Sequence, residues 1–162
     1  MDIGNLLPWV SGLNDDDGGR PLDWRDTRRN RVVFFTHPAG CADCSDYARD
    51  LMELRDRLSS WDGDVWLVGE TADDLATPSA DNVVRVTGDA DRRLRQRCGL
   101  PPDEARLVIA DRWGQIWQTA VADDHHVLVD PADVLETTKW IATQCPECET
   151  LDQPIGDWSS VR

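Results

Sequence analysis

Lysine is almost missing from this chain. Lys139 stands alone among 17 basic residues, which face 31 acidic ones and leave a formal net charge of -14 and a pI near 4.4. Such an excess of negative charge repels nucleic-acid phosphate and anionic membrane surfaces, so neither is expected as a partner. The acidity fits a high-salt cytoplasm and a compositional habit equally well. Long apolar runs are also lacking. The opening stretch carries Asp2, Asp15, Asp16 and Asp17 and offers neither a secretory h-region nor a membrane-spanning helix. A cytoplasmic protein is the expectation. The cysteines number five, two C-x-x-C pairs and the single Cys98, and this does not resemble the disulfide framework of a small secreted domain. No internal repeat is visible, and 162 residues at 18.2 kDa suit one core with short extensions.

What is present concentrates at one junction. Cys41 and Cys44 follow the apolar run Val32-Val33-Phe34-Phe35 and precede a helix-periodic segment, which places two thiols where a strand hands over to a helix. Unpaired N–H groups and the macrodipole at a helix N-terminus favour a thiolate, the form of sulfur that attacks disulfides, reacts with peroxide or binds metals. Asp43 and Asp46 oppose that tendency, while Arg49 and His37 are placed to offset them.

The remaining pattern is an alternation of strands and helices. Asp16-Asp17-Gly18-Gly19, inside Leu6 to Leu22, has the turn chemistry of an N-terminal β-hairpin. Arg31 to Thr36 reads as a buried central strand. Tyr47, Ala48, Leu51, Leu54, Leu58 and Trp61 recur at three- and four-residue steps and predict one amphipathic helix from Ser45 to Trp61. Strands are expected over 64–69 and 82–86, with a polar loop or broken helix between them. A short basic helix follows from Asp89 to Arg97, its arginines read as a solvated face, ending at Cys98-Gly99. Arg106 to Ala110 and Gln115 to Val121 flank Asp111-Arg112-Trp113-Gly114 and predict a β-hairpin. Pro131 to Thr143 has the Pro-first signature of a last helix. The expected organisation is a domain over 1–144 and a tail over 145–162.

Several stretches resemble the redoxin branch of the thioredoxin-like superfamily, the alkyl hydroperoxide reductase and thiol-specific antioxidant group. They are Gly18 to Leu22 with Trp24-Arg25-Asp26, Val32 to Phe35, Asn82 to Leu100, and Leu107 to Ile116, in that order, and the resemblance as a whole spans roughly Gly18 to Thr143. The resemblance implies an α/β thioredoxin-like fold with a mixed central sheet flanked by helices. It also implies Cys41 as attacking thiol and Cys44 as resolving thiol of an oxidoreductase, or Cys41 as a peroxide-reactive thiol. The chain departs from the pattern at several places. Gly40 replaces the thioredoxin Trp, Ala105 or Glu104 stands where thioredoxins have a cis-Pro, and Phe35 takes the place of their buried Asp. Pro38 occupies the position of the peroxiredoxin Thr or Ser, and Arg106 is one residue from their activating Arg.

Two readings of function follow. One is a thiol-disulfide oxidoreductase, or its peroxidase variant, acting on a disulfide-bearing protein, a small thiol or a peroxide. The other is a zinc-binding or interaction module built on Cys145 and Cys148, alone or across a dimer; the same pair also reads as a second redox or resolving dithiol, or as an ordinary tail or staple. No other cofactor is expected. A helix of thirteen residues at about 1.5 Å each carries the chain about 20 Å from the edge that holds Cys41, so a four-cysteine zinc site joining both pairs is disfavoured. Cys98 is read as a small core residue, with a resolving role if its loop approaches the first pair. His125 and His126 read as solvated loop residues.

Overall fold

Val32, Val33, Phe34 and Phe35 are fully buried, which makes β1 (Asn30–Phe35) the spine of the molecule. The computed structural model describes residues 1–8, 29–37, 41–70, 84–89, 92–122 and 128–144, with the backbone alone at 84–87. After β1 come α1 (Ala42–Glu53), α2 (Arg55–Ser59), β2 (Gly63–Gly69), β3 (Val84–Gly88), α3 (Arg93–Arg97), β4 (Arg106–Ala110), β5 (Ile116–Val121) and α4 (Pro131–Thr143). The five strands form one sheet in the order β3-β2-β1-β4-β5. β1 runs parallel to β2, and β2 to β3, whereas β4 lies antiparallel to both β1 and β5. A mixed sheet of this kind buries its central strands on both faces, which accounts for the unbroken apolar run in β1.

Alternation along β1 divides the core into two layers. Val32 and Phe34 face the layer that holds Cys44, Ala48, Leu51, Leu58, Val134, Leu135 and Ile141, contributed by α1, α2 and α4. Val33 and Phe35 face the other layer, with Trp66, Val68, Leu94, Cys98 and Leu100 under α3.

The elements follow the expected pattern with three adjustments. The helix predicted over 45–61 begins at Ala42 and is broken at Leu54, whose N–H donates to the Leu51 carbonyl three residues back. This tightened turn redirects the chain, and Leu58 enters the core with no exposure. β3 lies two residues later than 82–86. The basic helix is only five residues long, because the buried Asp89 carboxylate accepts from the N–H groups of Leu94 and Arg95 at 3.0 Å each and acts ahead of the helix.

The β4–β5 turn forms as predicted. Asp111, itself buried, accepts from the N–H of Trp113 at 2.8 Å, the N–H of Gln115 at 2.9 Å and the Trp117 indole at 3.0 Å, and Gly114 takes a φ of 87°. Of the predicted N-terminal hairpin, Leu6 bridges Gln115 in antiparallel fashion, the Leu7 N–H donates to the Gly114 carbonyl at 2.8 Å, and residues 9–22 lie outside the described residues. α4 starts and ends where predicted, with Asp130 Oδ1 accepting from the Ala132 N–H at 2.8 Å and Pro131 in the first turn. Among the described residues no helix is long and apolar enough to cross a membrane.

Candidate functional site

The parallel strands deliver their C-terminal ends to one edge of the sheet, and the chain leaves β1 there through Thr36 and His37 to enter α1. Cys41 is the N-cap residue of α1. Its backbone is extended, with φ -74° and ψ 109°, and its carbonyl accepts from both the N–H and the hydroxyl of Ser45 at 3.1 Å each. Its thiol makes no capping hydrogen bond and is half-buried. One turn inside, Cys44 is buried in the layer with Ala48 and Leu51.

His37 meets the inner thiol. Its N–H donates to Cys44 Sγ at 3.3 Å, and its ring Nδ1 lies 3.2 Å from the same sulfur. Burial is the main influence on Cys44 and pushes its thiol up to about 12. The His37 N–H works in the opposite direction, while Cys41 and Asp43 add to the rise. Cys44 is therefore a neutral thiol at neutral pH with an imidazole beside it. Arg49 offsets Asp46, as expected, by pairing with it at 2.9 Å on the exposed side of α1.

Beneath the pair, the β1 residue on the Cys44 side is Phe34, which meets Tyr47 edge to face with centroids 5.0 Å apart. Phe35 points into the opposite layer, so the comparison of Phe35 with the buried thioredoxin Asp is corrected: β1 places a ring under the thiols and no carboxylate. The Tyr47 hydroxyl donates to the Val129 carbonyl at 2.8 Å, so the segment entering α4 lies against α1. At the far end of α4, Thr138 touches the Gly63 position and the Lys139 ammonium sits over the Trp61 ring. The last helix thus runs away from the thiol edge. Cys145, Cys148, His125 and His126 lie outside the described residues.

Of the two other auxiliary residues, Cys98 is the small core residue that its first reading expected, without the resolving role. Cys98 is buried in the layer across the sheet from Cys44, so it does not approach the first pair. Burial pushes its thiol up to about 12, with Asp89 adding to the rise. Arg106 is the register partner of Phe35, is ion-paired with Glu104 at 2.6 Å, and its charge bears on Cys98. A second arginine, Arg95, reaches the same edge of the sheet from α3 through the Thr36 carbonyl. Arg95, expected on a solvated face, is buried. It donates to the Glu104 carbonyl at 2.7 Å and to the Thr36 carbonyl, and stacks over Phe35 at 5.7 Å. The one available signal was Asp89, six residues ahead, whose capping of α3 turns Leu94 and Arg95 inward.

Among solved structures, the peroxiredoxin 6 of Arenicola marina, as a C45S mutant, superposes with a TM-score of 0.67 at 11% identity, covering 85% of this chain and 72% of that one. The fold is thioredoxin-like, as in the redoxins. A candidate thiol:disulfide interchange protein DsbE from Chlorobium tepidum gives 0.65 at 19% identity over 88% of this chain and 98% of that one. Mycobacterium tuberculosis AhpC gives 0.63 at 18% identity over 91% and 98%. No protein-family model and no curated protein matches the sequence. In this thioredoxin-like frame, Cys41 and Cys44 occupy the strand-to-helix junction, and every peptide bond among the described residues is trans, those ahead of β4 included.

Proposed function

We propose that the chain is a thiol-disulfide oxidoreductase of redoxin type in which Cys41 attacks and Cys44 resolves. The observation that carries this reading is a half-exposed thiol at the N-terminus of a long helix with a second, buried thiol in reach, their sulfurs within 4.8 Å. The Cys41 thiolate attacks one sulfur of a substrate disulfide, forms a mixed disulfide and expels the other sulfur as a thiolate. Cys44 then gives its proton to the His37 imidazole, 3.2 Å away, and attacks Cys41 Sγ. The second substrate thiolate leaves, the two protein sulfurs share a new bond, and the substrate has gained two electrons. The raised affinity of Cys44 for its proton suits this order, because the inner sulfur stays protonated until a base relieves it.

The substrate class is a disulfide-bearing protein or a small disulfide, and a cytoplasmic, reducing location would return the pair to its dithiol form. The pairing of Arg106 with Glu104 counts against the peroxidase variant, which needs a guanidinium at the attacking sulfur. A zinc module at Cys145 and Cys148 is the alternative from a different class.

Mixing reduced protein with oxidised glutathione tests the assignment. Wild type should yield one Cys41–Cys44 disulfide by peptide mass mapping, Cys44→Ser should accumulate the mixed disulfide on Cys41, and Cys41→Ser should lose at least about 100-fold in rate. Exchange at the wild-type rate in Cys41→Ser would remove the proposal.

A further inference from the structure

Three ligand-type side chains converge at the junction from three backbone settings: His37 beyond the end of β1, Cys41 at the helix cap, and Cys44 in the first turn of α1. One imidazole nitrogen and the two sulfurs all lie within 4.8 Å of one another, and His37 Nδ1 is 3.2 Å from Cys44 Sγ. Around tetrahedral zinc, with about 2.3 Å to sulfur and about 2.1 Å to nitrogen, neighbouring ligand atoms stand about 3.5 to 3.8 Å apart. The triangle seen here reaches that geometry by side-chain shifts of about 1 Å or less. We propose that His37, Cys41 and Cys44 of the reduced protein form a Cys2His site for Zn2+.

The donor set selects the metal. Two thiolates and one imidazole are soft-to-borderline donors that suit zinc and reject magnesium and calcium, which take oxygen. The His37 N–H directed at Cys44 Sγ is a supporting hydrogen bond of the kind that holds a metal-bound thiolate in place. Three protein ligands leave a fourth position for water or a small thiol, and Cys41 is half-exposed. Metal and disulfide are exclusive states of the same two sulfurs. When a disulfide R–S–S–R accepts two electrons from the zinc-bound pair, Cys41 and Cys44 join, two R–S thiolates form, and zinc, left with His37 alone, is released. This site uses the atoms of the proposed oxidoreductase but rests on their geometry alone.

The test uses the full chain carrying Cys145→Ser and Cys148→Ser, so that the second pair contributes nothing. Reduced, metal-free protein titrated anaerobically with Co2+ should bind one equivalent, with thiolate-to-cobalt charge transfer and the intense ligand-field bands of a tetrahedral site, and one equivalent of Zn2+ should erase them. His37→Ala and Cys41→Ser, each checked for folding by circular dichroism, should weaken Zn2+ binding at least about 100-fold. Oxidised glutathione added to the zinc form should release one zinc per disulfide formed. No tetrahedral spectrum in this background, or wild-type affinity in a folded His37→Ala, overturns the site. Intact disulfide exchange without metal binding sinks this proposal alone, and metal binding without exchange sinks the oxidoreductase reading alone.

Discussion

Arg95 is where the chemistry of a single residue counts most. A buried guanidinium is tolerated here because two main-chain carbonyls, those of Thr36 and Glu104, accept its N–H groups and the Phe35 face covers it. Through Thr36 it ties α3 to the exit of β1, the residue before His37. Arg95→Ala should therefore cost about 2–4 kcal/mol by leaving those carbonyls unpaired, and Arg95→Lys should recover only part of it, since an ammonium lacks the planar fork. Urea denaturation measures both, and a loss below about 0.5 kcal/mol for Arg95→Ala would show the contacts to be idle. Apart from Asp89, nothing along the chain marked Arg95, because five arginines between 92 and 106 read alike. Burial depends on how Asp89 seats the helix, a contact between main chain and side chain that no periodicity displays. The thiols were legible for the opposite reason: C-x-x-C behind an apolar run places both sulfurs by local geometry alone.

Elements were read well where apolar spacing and end signals agreed. α4 carries Asp130, Pro131 and a periodic apolar face, and its limits matched; the β4–β5 hairpin carries Gly114 at the one position that needs a positive φ. The break at Leu54 was hidden because Leu58 and Trp61 keep helical spacing across it, while the sheet below asks the chain to bend. Gly63, at the start of β2, answers the same demand for space. A Cβ there would meet the Leu58 carbonyl oxygen at 2.9 Å and Thr138 Cγ2 at 3.0 Å, so α2 and α4 close over a strand that has no room for a side chain. Gly63→Ala should destabilise the protein by about 1–3 kcal/mol, read as a lowered urea midpoint, because one of the obstacles is backbone and cannot rotate aside. An unchanged midpoint would mean that the α2 turn yields freely.

For the whole molecule, the decisive feature is that the sheet is buried on both sides, with one buried thiol in each layer among the described residues: Cys44 with α1 and α4, Cys98 with α3. Both keep their protons more tightly when folded than when unfolded, rising from 9.0 to about 12. The stability contributed by those protons is complete below pH 9.0 and is lost as the pH climbs toward about 12. Alkaline titration of the urea midpoint should show this decline, and Cys98→Ala should make it shallower. An equal slope in the variant would mean that Cys98 does not take part.

The sheet is also a partition between sulfurs. An oxidant that arrives at the edge where β1 gives way to α1 finds a cysteine with a neighbour on its own side of the wall and Cys98 behind five hydrogen-bonded strands. A crossed bridge between Cys44 and Cys98 would have to pass through a sheet whose central strand is fully buried. Mispairing among these three cysteines is thus barred by architecture, before any difference in their reactivity comes into play.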